Sequence, residues 1–309
     1  MRIGNFVIFE KNIKKLSALI SGYRSTEDEK NSKSIEGDIN IGTDLYASTR
    51  IGKERDNQED AVAIMKFPTN EKYKMLVVAD GVGGNEDGEK ASHMTVTEIR
   101  EWFNTLEVAD FADEEVLITK LVQKLNSINK QICTTTYDAA TTFVCAIIGK
   151  NNTVIVNVGD SRAYLVNGSK LKQISTDDSI AQILYENGNI KTRDDIRFHK
   201  RGNVITESIG QREVVEPNVK IIPNNSYDAI LLFSDGVTDC LSDNQIYAIT
   251  NQTSHKELAK AIVNNALNTD SKRAKRGDKT DSAYYEEIKG GKDNTTAAVY
   301  INKTKGKSR

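Results

Sequence analysis

Met75-Leu76-Val77-Val78-Ala79-Asp80-Gly81-Val82 is echoed later in the chain by Ile230-Leu231-Leu232-Phe233-Ser234-Asp235-Gly236-Val237. In both stretches an unbroken apolar run stops at Asp-Gly-Val. A strand with one wet face would alternate apolar and polar residues, so continuous apolarity over so short a length predicts a strand covered on both faces. Each strand then delivers a carboxylate to its end, where Gly lets the backbone turn and leaves its carbonyl uncovered. Two more acidic clusters flank the pair, Glu59-Asp60 and Asp293-Asn294. Carboxylates gathered without nearby cations repel one another. Hard divalent ions such as Mg²⁺ or Mn²⁺ relieve that repulsion because they take oxygen ligands. The pattern points to two-metal hydrolytic chemistry.

Working outward, the other elements come in mixed order. Tyr46–Thr49 and Ala61–Ile64 read as short strands. Ala91–Leu106 and Glu114–Cys133 have helical spacing and lack Pro and Gly. Thr142–Ile148 and Val154–Val158 read as a hairpin through Asn151-Asn152, and Arg162–Val166 with Leu171–Ile174 as another around Asn167-Gly168. Ser179–Tyr185 is helical and stopped by Asn187-Gly188; further helices fall at Asp243–Thr250 and Ser254–Leu267, and a last strand at Thr296–Ile301. Hairpins with helices bunched between them predict an α+β sandwich, not a doubly wound parallel sheet.

The composition narrows the function. At 309 residues and 38% hydrophobic content the chain can build a large core. A formal charge of −2 speaks against a protein that binds nucleic acid through a general positive field. No apolar stretch approaches the roughly 20 residues of a membrane helix. Phe6–Phe9 is cut by Glu10-Lys11, so the start does not read as a signal peptide. The three cysteines (Cys133, Cys145, Cys240) form no metal-binding pair, and reduced thiols in a cytoplasm are the expectation. Cys145 reads as core. Residues 1–44 read as an extension: an apolar helical face of Phe6, Phe9, Ile13, Leu16 and Ile20, then a polar linker from Ser25 to Asp38. A catalytic domain is expected over 45–303 and a basic tail over 304–309. Residues 270–292 carry clustered charge and read as a solvated, mobile loop, with a basic lip before Asp293 as the sharper alternative.

In order, the distinctive segments are Arg55-Asp56-Asn57-Gln58-Glu59-Asp60, Asp80-Gly81-Val82-Gly83-Gly84, Ala140-Thr141-Thr142, Gly159-Asp160-Ser161-Arg162-Ala163-Tyr164, Ser234-Asp235-Gly236-Val237-Thr238-Asp239 and Asp293-Asn294-Thr295-Thr296. No one of them is specific, since Asp-Gly is a common turn pair. The ordered set resembles the metal-dependent serine/threonine phosphatases of the protein phosphatase 2C family, in their bacterial form, over about Asp44 to Asn302. The resemblance implies a four-layer α/β/β/α sandwich with two central antiparallel β-sheets flanked by helices. It implies two Mn²⁺ or Mg²⁺ ions at one edge, with Asp80 bridging them, the Gly81 carbonyl on one, and Asp235 and Asp293 on the other. Glu59 and Asp60 would act through bound waters. Asp160, with Asp235, would hold a weaker third ion, and Arg55 would clamp the substrate phosphate. The expected reaction is hydrolysis of phosphoserine and phosphothreonine in proteins by a metal-bridging hydroxide, with no phosphoenzyme. Phosphorylated proteins and a cognate serine/threonine kinase are the expected partners of a monomer. No nucleic-acid partner is expected.

The chain departs from the family pattern at several points. Val82 stands where animal members carry a His that can protonate the leaving group, and a metal-bound water is the expected substitute. Asn85 replaces the usual His after Gly-Gly. The usual Thr-x-Asp-His-Ser reads Ser175-Thr176-Asp177-Asp178-Ser179. None of His93, His199 and His255 lies in a catalytic motif. Ser179–Gly210 corresponds to a variable flap beside the site, whose Arg193, Arg197, Lys200 and Arg201 are set either against a phosphorylated substrate or in solvent. Arg162 is expected in a structural salt bridge. The rival readings are a pseudophosphatase that only binds, the branch acting on anti-sigma-factor antagonists, and a metal-dependent nuclease, which the absence of an aromatic-basic patch disfavours.

Overall fold

The computed structural model describes residues 36–83, 87–135, 139–274 and 285–303. The helical face expected over residues 6–20 and the basic tail lie outside them. The chain runs through β1 (Gly37–Ile41), β2 (Leu45–Arg50), β3 (Asp60–Phe67) and β4 (Asn70–Val82) into helices α1 (Asp87–Thr105) and α2 (Glu114–Thr135). There follow β5 (Ala140–Thr141), β6 (Phe143–Ile148), β7 (Asn152–Val158), β8 (Arg162–Asn167) and β9 (Lys170–Gln173), then α3 (Ile180–Glu186) and α4 (Asp194–Phe198). The rest is β10 (Asn218–Pro223), β11 (Ala229–Phe233), α5 (Asp235–Thr238), α6 (Asp243–Gln252), α7 (Leu258–Asn268), β12 (Ser271–Ala274), β13 (Tyr285–Ile288) and β14 (Thr295–Ile301).

Two antiparallel sheets stack face to face. One has the order β1-β2-β14-β11-β8-β9 and the other β10-β7-β6-β4-β3, with β5 added to the end of β4. The continuous apolar runs are explained by the layers. Alternate residues of β4 serve two different cores: Leu76 and Val78 pack between the sheets, whereas Met75, Val77 and Ala79 face α1 and α2. β11 repeats this, with Ile230 and Leu232 between the sheets and Leu231 and Phe233 toward α7. Helix α1 offers Ala91, Thr95, Ile99 and Phe103, one residue per turn on a single buried face. Helix α2 offers Leu117, Leu121, Leu125, Ile128 and Ile132, and α7 offers Leu258, Ile262 and Ala266 on the opposite side of the sandwich. The four layers are those the resemblance implies. Cys145 is fully buried in β6, as expected.

Three features differ from the sequence reading. The first sheet begins at Gly37, inside the segment set apart as extension and linker. β1 pairs with β2, and Asp38 takes Arg50 Nη2 at 2.7 Å and Lys260 Nζ at 3.1 Å. Second, Ser271–Ala274 and Tyr285–Ile288 pair as an antiparallel hairpin where a loop was expected. Its neck is tied down: the Gly290 N–H donates to Asp270 Oδ1 at 2.9 Å, and Lys53 Nζ donates to the carbonyls of Leu267 and Gly290. Third, the segment after Ser179 has a small core of its own, formed by Ala181, Ile190 and Ile196. Ser179 caps α3 by accepting the Gln182 N–H.

Candidate active site

The acidic residues meet at one end of the two sheets. Asp60 opens β3 and sits directly opposite Asp80 in the antiparallel register with β4. Asp235 follows β11 as the first residue of α5, and Asp293 precedes β14, the neighbour of β11. Each Asp-Gly pair owes its glycine to a close approach of two backbones. A Cβ on Gly81 would lie 2.2 Å from the Gly88 carbonyl oxygen, and one on Gly236 would lie 2.0 Å from the Asn294 carbonyl oxygen. Only hydrogen fits there, so the Asp80 turn stands hard against the start of α1 and the Glu59 carbonyl, and the Asp235 turn against Asn294 beside Asp293.

Asp60 is the most enclosed of these acids, at 2% exposure. Its Oδ2 accepts from Ser234 Oγ at 2.7 Å, and its Oδ1 is buried with no hydrogen-bond partner. Burial, with the Asp293 charge adding to it, pushes its carboxyl up to about 7. Asp80 is raised well above the carboxylate range by burial and by the charges of Asp60, Asp235, Asp293 and Asp160. Asp235 is raised by burial and by Asp293, Asp239, Asp160 and Asp60. Asp160 is pushed up to about 7 by burial and by Asp177 and Asp239. Asp80, Asp160 and Asp235 each keep an edge open to solvent.

Arg55 lies across this cluster. Its Nη1 donates to Glu59 Oε2 at 3.0 Å and its Nη2 to Asp293 Oδ2 at 2.8 Å. Glu59, Asp293 and Arg55 are therefore brought together as an ion-paired group. Buried polar side chains fix the backbone beneath. Asn294 Oδ1 accepts the Glu59 N–H at 3.0 Å, and its Nδ2 donates to the Asn57 carbonyl at 3.0 Å. Ser92 Oγ donates to the Glu59 carbonyl, which also accepts the Gly81 N–H.

Thr141 and Thr142 hold Asp80 from the other side. Thr142 Oγ1 accepts the Asp80 N–H at 2.9 Å, and Thr141 Oγ1 donates to the Asp80 carbonyl at 2.9 Å. Thr142 Oγ1 also shares a 2.7 Å hydrogen bond with Ser161 Oγ, next to Asp160. The supporting residue that sequence reasoning missed is Ser234. It donates to Asp60 and accepts the Thr296 N–H at 3.0 Å, linking three of the acidic segments. Its signal was a polar residue closing an apolar run directly before Asp235.

Asp160 sits in a turn braced by the segment at 175–179. The Gly159 N–H donates to Asp178 Oδ2 at 2.9 Å, and the Asp178 N–H donates back to the Gly159 carbonyl. Arg162 pairs with Asp177, Nη2 to Oδ2 at 2.6 Å, which is the structural salt bridge expected of it. The flap that follows reaches all three acidic turns: the Asp160 turn by way of the Thr206 N–H donating to the Asp178 carbonyl, the Asp80 strand through the Thr141–Ile209 bridge, and the Asp235 turn through Arg197. The substrate-facing alternative for Arg197 is corrected: it is 8% exposed and committed to backbone carbonyls.

The donor set suits a hard divalent ion. It is all oxygen, it repels itself, and it contains a buried carboxylate oxygen without a partner. Among the described residues no three Asp, Glu, His or Cys side chains converge closely enough to hold an ion as they stand. At Glu59 and Asp293 the Arg55 guanidinium engages one carboxylate oxygen of each.

Comparison with known proteins agrees with this architecture. The "Serine/threonine phosphatase stp" of Listeria welshimeri is 31% identical over 199 residues, covering 63% of this chain and 78% of that protein. The "Protein phosphatase PhpP" of Streptococcus pneumoniae is 29% identical over 214 residues, covering 64% and 80%. Serine/threonine phosphatase Stp1 from Staphylococcus aureus superposes with a TM-score of 0.69 at 28% identity, over 88% of this chain and 98% of that one. The catalytic domain of the serine threonine protein phosphatase PstP, solved in complex with two manganese ions, superposes with a TM-score of 0.63 at 26% identity, over 83% and 96%. Residues 50–270 match the family model described as protein phosphatase 2C, and the chain belongs to that family.

Proposed function

We infer that this chain is a metal-dependent serine/threonine protein phosphatase. The observation that carries the reading is the cluster of Asp60, Asp80, Asp160 and Asp235, whose carboxyls are all held above their ordinary range by burial and by neighbouring negative charge. That arrangement costs stability on its own and makes sense as a seat for cations. In this reading Asp80 and the Gly81 carbonyl, with Asp235 and Asp293, would hold two Mn²⁺ or Mg²⁺ ions. Glu59 and Asp60 would act through bound waters, and Asp160 with Asp235 would hold a weaker third ion. Bound there, the ions would supply Lewis acidity toward phosphate oxygens and water.

The chain's own residues do the rest. The Arg55 fork, which here reaches Glu59 and Asp293, has the planar geometry to take two phosphate oxygens side by side. Thr141, Thr142 and Ser234 hold the backbone and carboxylates in place, so little rearrangement is left for the reaction. Water attacks phosphorus in line and the phosphorus–oxygen bond to the Ser or Thr side chain breaks. Val82 brings no proton to that position, so the leaving alkoxide draws its proton from water.

The proposed substrates are phosphoproteins, and the kinase that phosphorylates them is the natural counterpart. We place the chain in the cytoplasm as a monomer. Its cysteines are free thiols, and among the described residues no helix is long and apolar enough to cross a membrane. The catalytic unit of this reading starts at Gly37, because β1 completes the first sheet. Mn²⁺ binding measured by calorimetry tests the site: two ions on the wild type, impaired binding in Asp80→Asn, and two ions retained in Asp160→Ala. An Asp160→Ala protein that binds no ion would place Asp160 in the primary pair instead.

A further inference from the structure

Arg197 is a buried cation that the catalytic scheme does not use. It stands on α4, in the middle of the flap, beside Ile196, which belongs to the flap's own small core. Its guanidinium leaves the flap. Nη2 donates to the Asp239 carbonyl at 3.1 Å, to the Cys240 carbonyl at 3.0 Å and to Ser271 Oγ at 3.1 Å. The first two acceptors belong to the turn after α5, whose first residue is Asp235; the Asp239 N–H donates to the Asp235 carbonyl at 2.7 Å. The third opens β12, the first strand of the hairpin inserted before Asp293. The neck of that hairpin is fastened to Lys53, two residues from Arg55, through Lys53 Nζ and the Gly290 carbonyl at 3.1 Å. One side chain therefore gathers the flap, the Asp235 turn and the inserted hairpin at a single junction, with the Arg55 loop tied to the same neck.

Enclosing a guanidinium to 8% exposure is costly, and Nη2 offsets that cost through three acceptors that stay within reach while the three segments stay together. We propose that Arg197 is a positioning residue, a latch that fixes the flap against the Asp235 turn and the hairpin so that the surface around the site is preformed for a phosphoprotein. It touches no reacting atom. Its effect falls on substrates large enough to reach the flap and spares those that fill only the phosphate site. Ser271 is the hairpin's side of the latch, so the inserted hairpin acts as a structural brace for the flap.

The inference rests on the phosphatase reading, and the test separates the two. Hydrolysis of a phosphothreonine peptide and of p-nitrophenyl phosphate is measured with Mn²⁺ for the wild type, Arg197→Met, Arg197→Lys and Ser271→Ala. Met conserves volume and removes the donors. In Arg197→Met the peptide KM rises at least about tenfold, because losing even one charge-assisted hydrogen bond is worth about a factor of ten in the ordered population. Its kcat/KM for p-nitrophenyl phosphate stays within about twofold. Lys, which still donates, recovers most of the peptide KM, and Ser271→Ala gives a smaller rise of the same kind. Hydrogen exchange quickens at amides 180–205 and is unchanged in β4 and β11. Equal losses on both substrates, or an unchanged peptide KM with unchanged exchange, overturns the latch. A wild type that hydrolyses neither substrate overturns the phosphatase reading, and the exchange measurement then still decides whether Arg197 holds the flap.

Discussion

Replacing Asp60 with Asn should stabilise the metal-free protein at pH 8 while weakening its grip on Mn²⁺. The side chain is 2% exposed, with Oδ2 bonded to Ser234 and Oδ1 unpartnered. Burial, then the Asp293 charge, raises its carboxyl from 3.8 to about 7. A carboxyl raised in the folded state favours folding fully below its unfolded value, and that contribution is lost as pH climbs through the folded one. At 1.36 kcal/mol per unit, the gap between 3.8 and about 7 corresponds to roughly 4 kcal/mol of lost stability above pH 7. Asp80 and Asp235 share the same field, so a gain of about 2–4 kcal/mol is expected for the variant. Asn keeps an acceptor for the Ser234 hydroxyl and has no charge to desolvate. At pH 5 the wild-type carboxyl is largely protonated in the fold, and the advantage should shrink to less than half of its value at pH 8. Urea unfolding in EDTA at the two pH values, with and without the substitution, measures this directly. A variant no more stable than wild type at pH 8, or an advantage that does not shrink at pH 5, would refute the electrostatic reasoning.

Three further substitutions probe the parts around that carboxylate. Arg55→Ala should raise KM for a phosphopeptide more than it lowers kcat, since the fork is assigned to phosphate binding; steady-state kinetics showing an unchanged KM would reject the clamp. Gly236→Ala places a methyl 2.0 Å from the Asn294 carbonyl oxygen, where backbone must give way, and should cost about 1–3 kcal/mol by urea titration. Unaltered stability and Mn²⁺ binding would mean that the close approach is not needed. Thr142→Val strips the acceptor from the Asp80 N–H and should destabilise by about 1–3 kcal/mol, with reduced Mn²⁺ affinity as the second reading.

The central strands could be read from sequence because both of their faces are covered. β11, and β4 from Met75 to Ala79, need apolar side chains at every position, and that continuity is local information. The edge strands gave no such sign. β1 alternates half-buried and exposed residues, β10 is mostly wet, and β12 and β13 carry charged residues such as Lys272, Arg273, Glu286 and Glu287. Of these, β10 pairs with the distant β7, while β1 and β12 pair with the strands that follow them, β2 and β13, and lack an apolar pattern that would mark the pairing. The acidic residues of the site were legible for the opposite reason. An Asp ending a buried strand is conspicuous, and the antiparallel register then puts Asp60 beside Asp80. Arg197 escaped because two of its three acceptors are backbone carbonyls, which leave no trace in residue identity. Ser234 was overlooked beside the more conspicuous Asp235.

The central claim is tested most directly by phosphate release from a phosphothreonine peptide, using EDTA-stripped protein titrated with Mn²⁺ and with Mg²⁺ beside its Asp80→Asn variant. Release that depends on the metal and vanishes in Asp80→Asn, with the variant still folded, is the predicted result. A folded wild-type protein that binds Mn²⁺ and releases no phosphate at any concentration of either ion would contradict it.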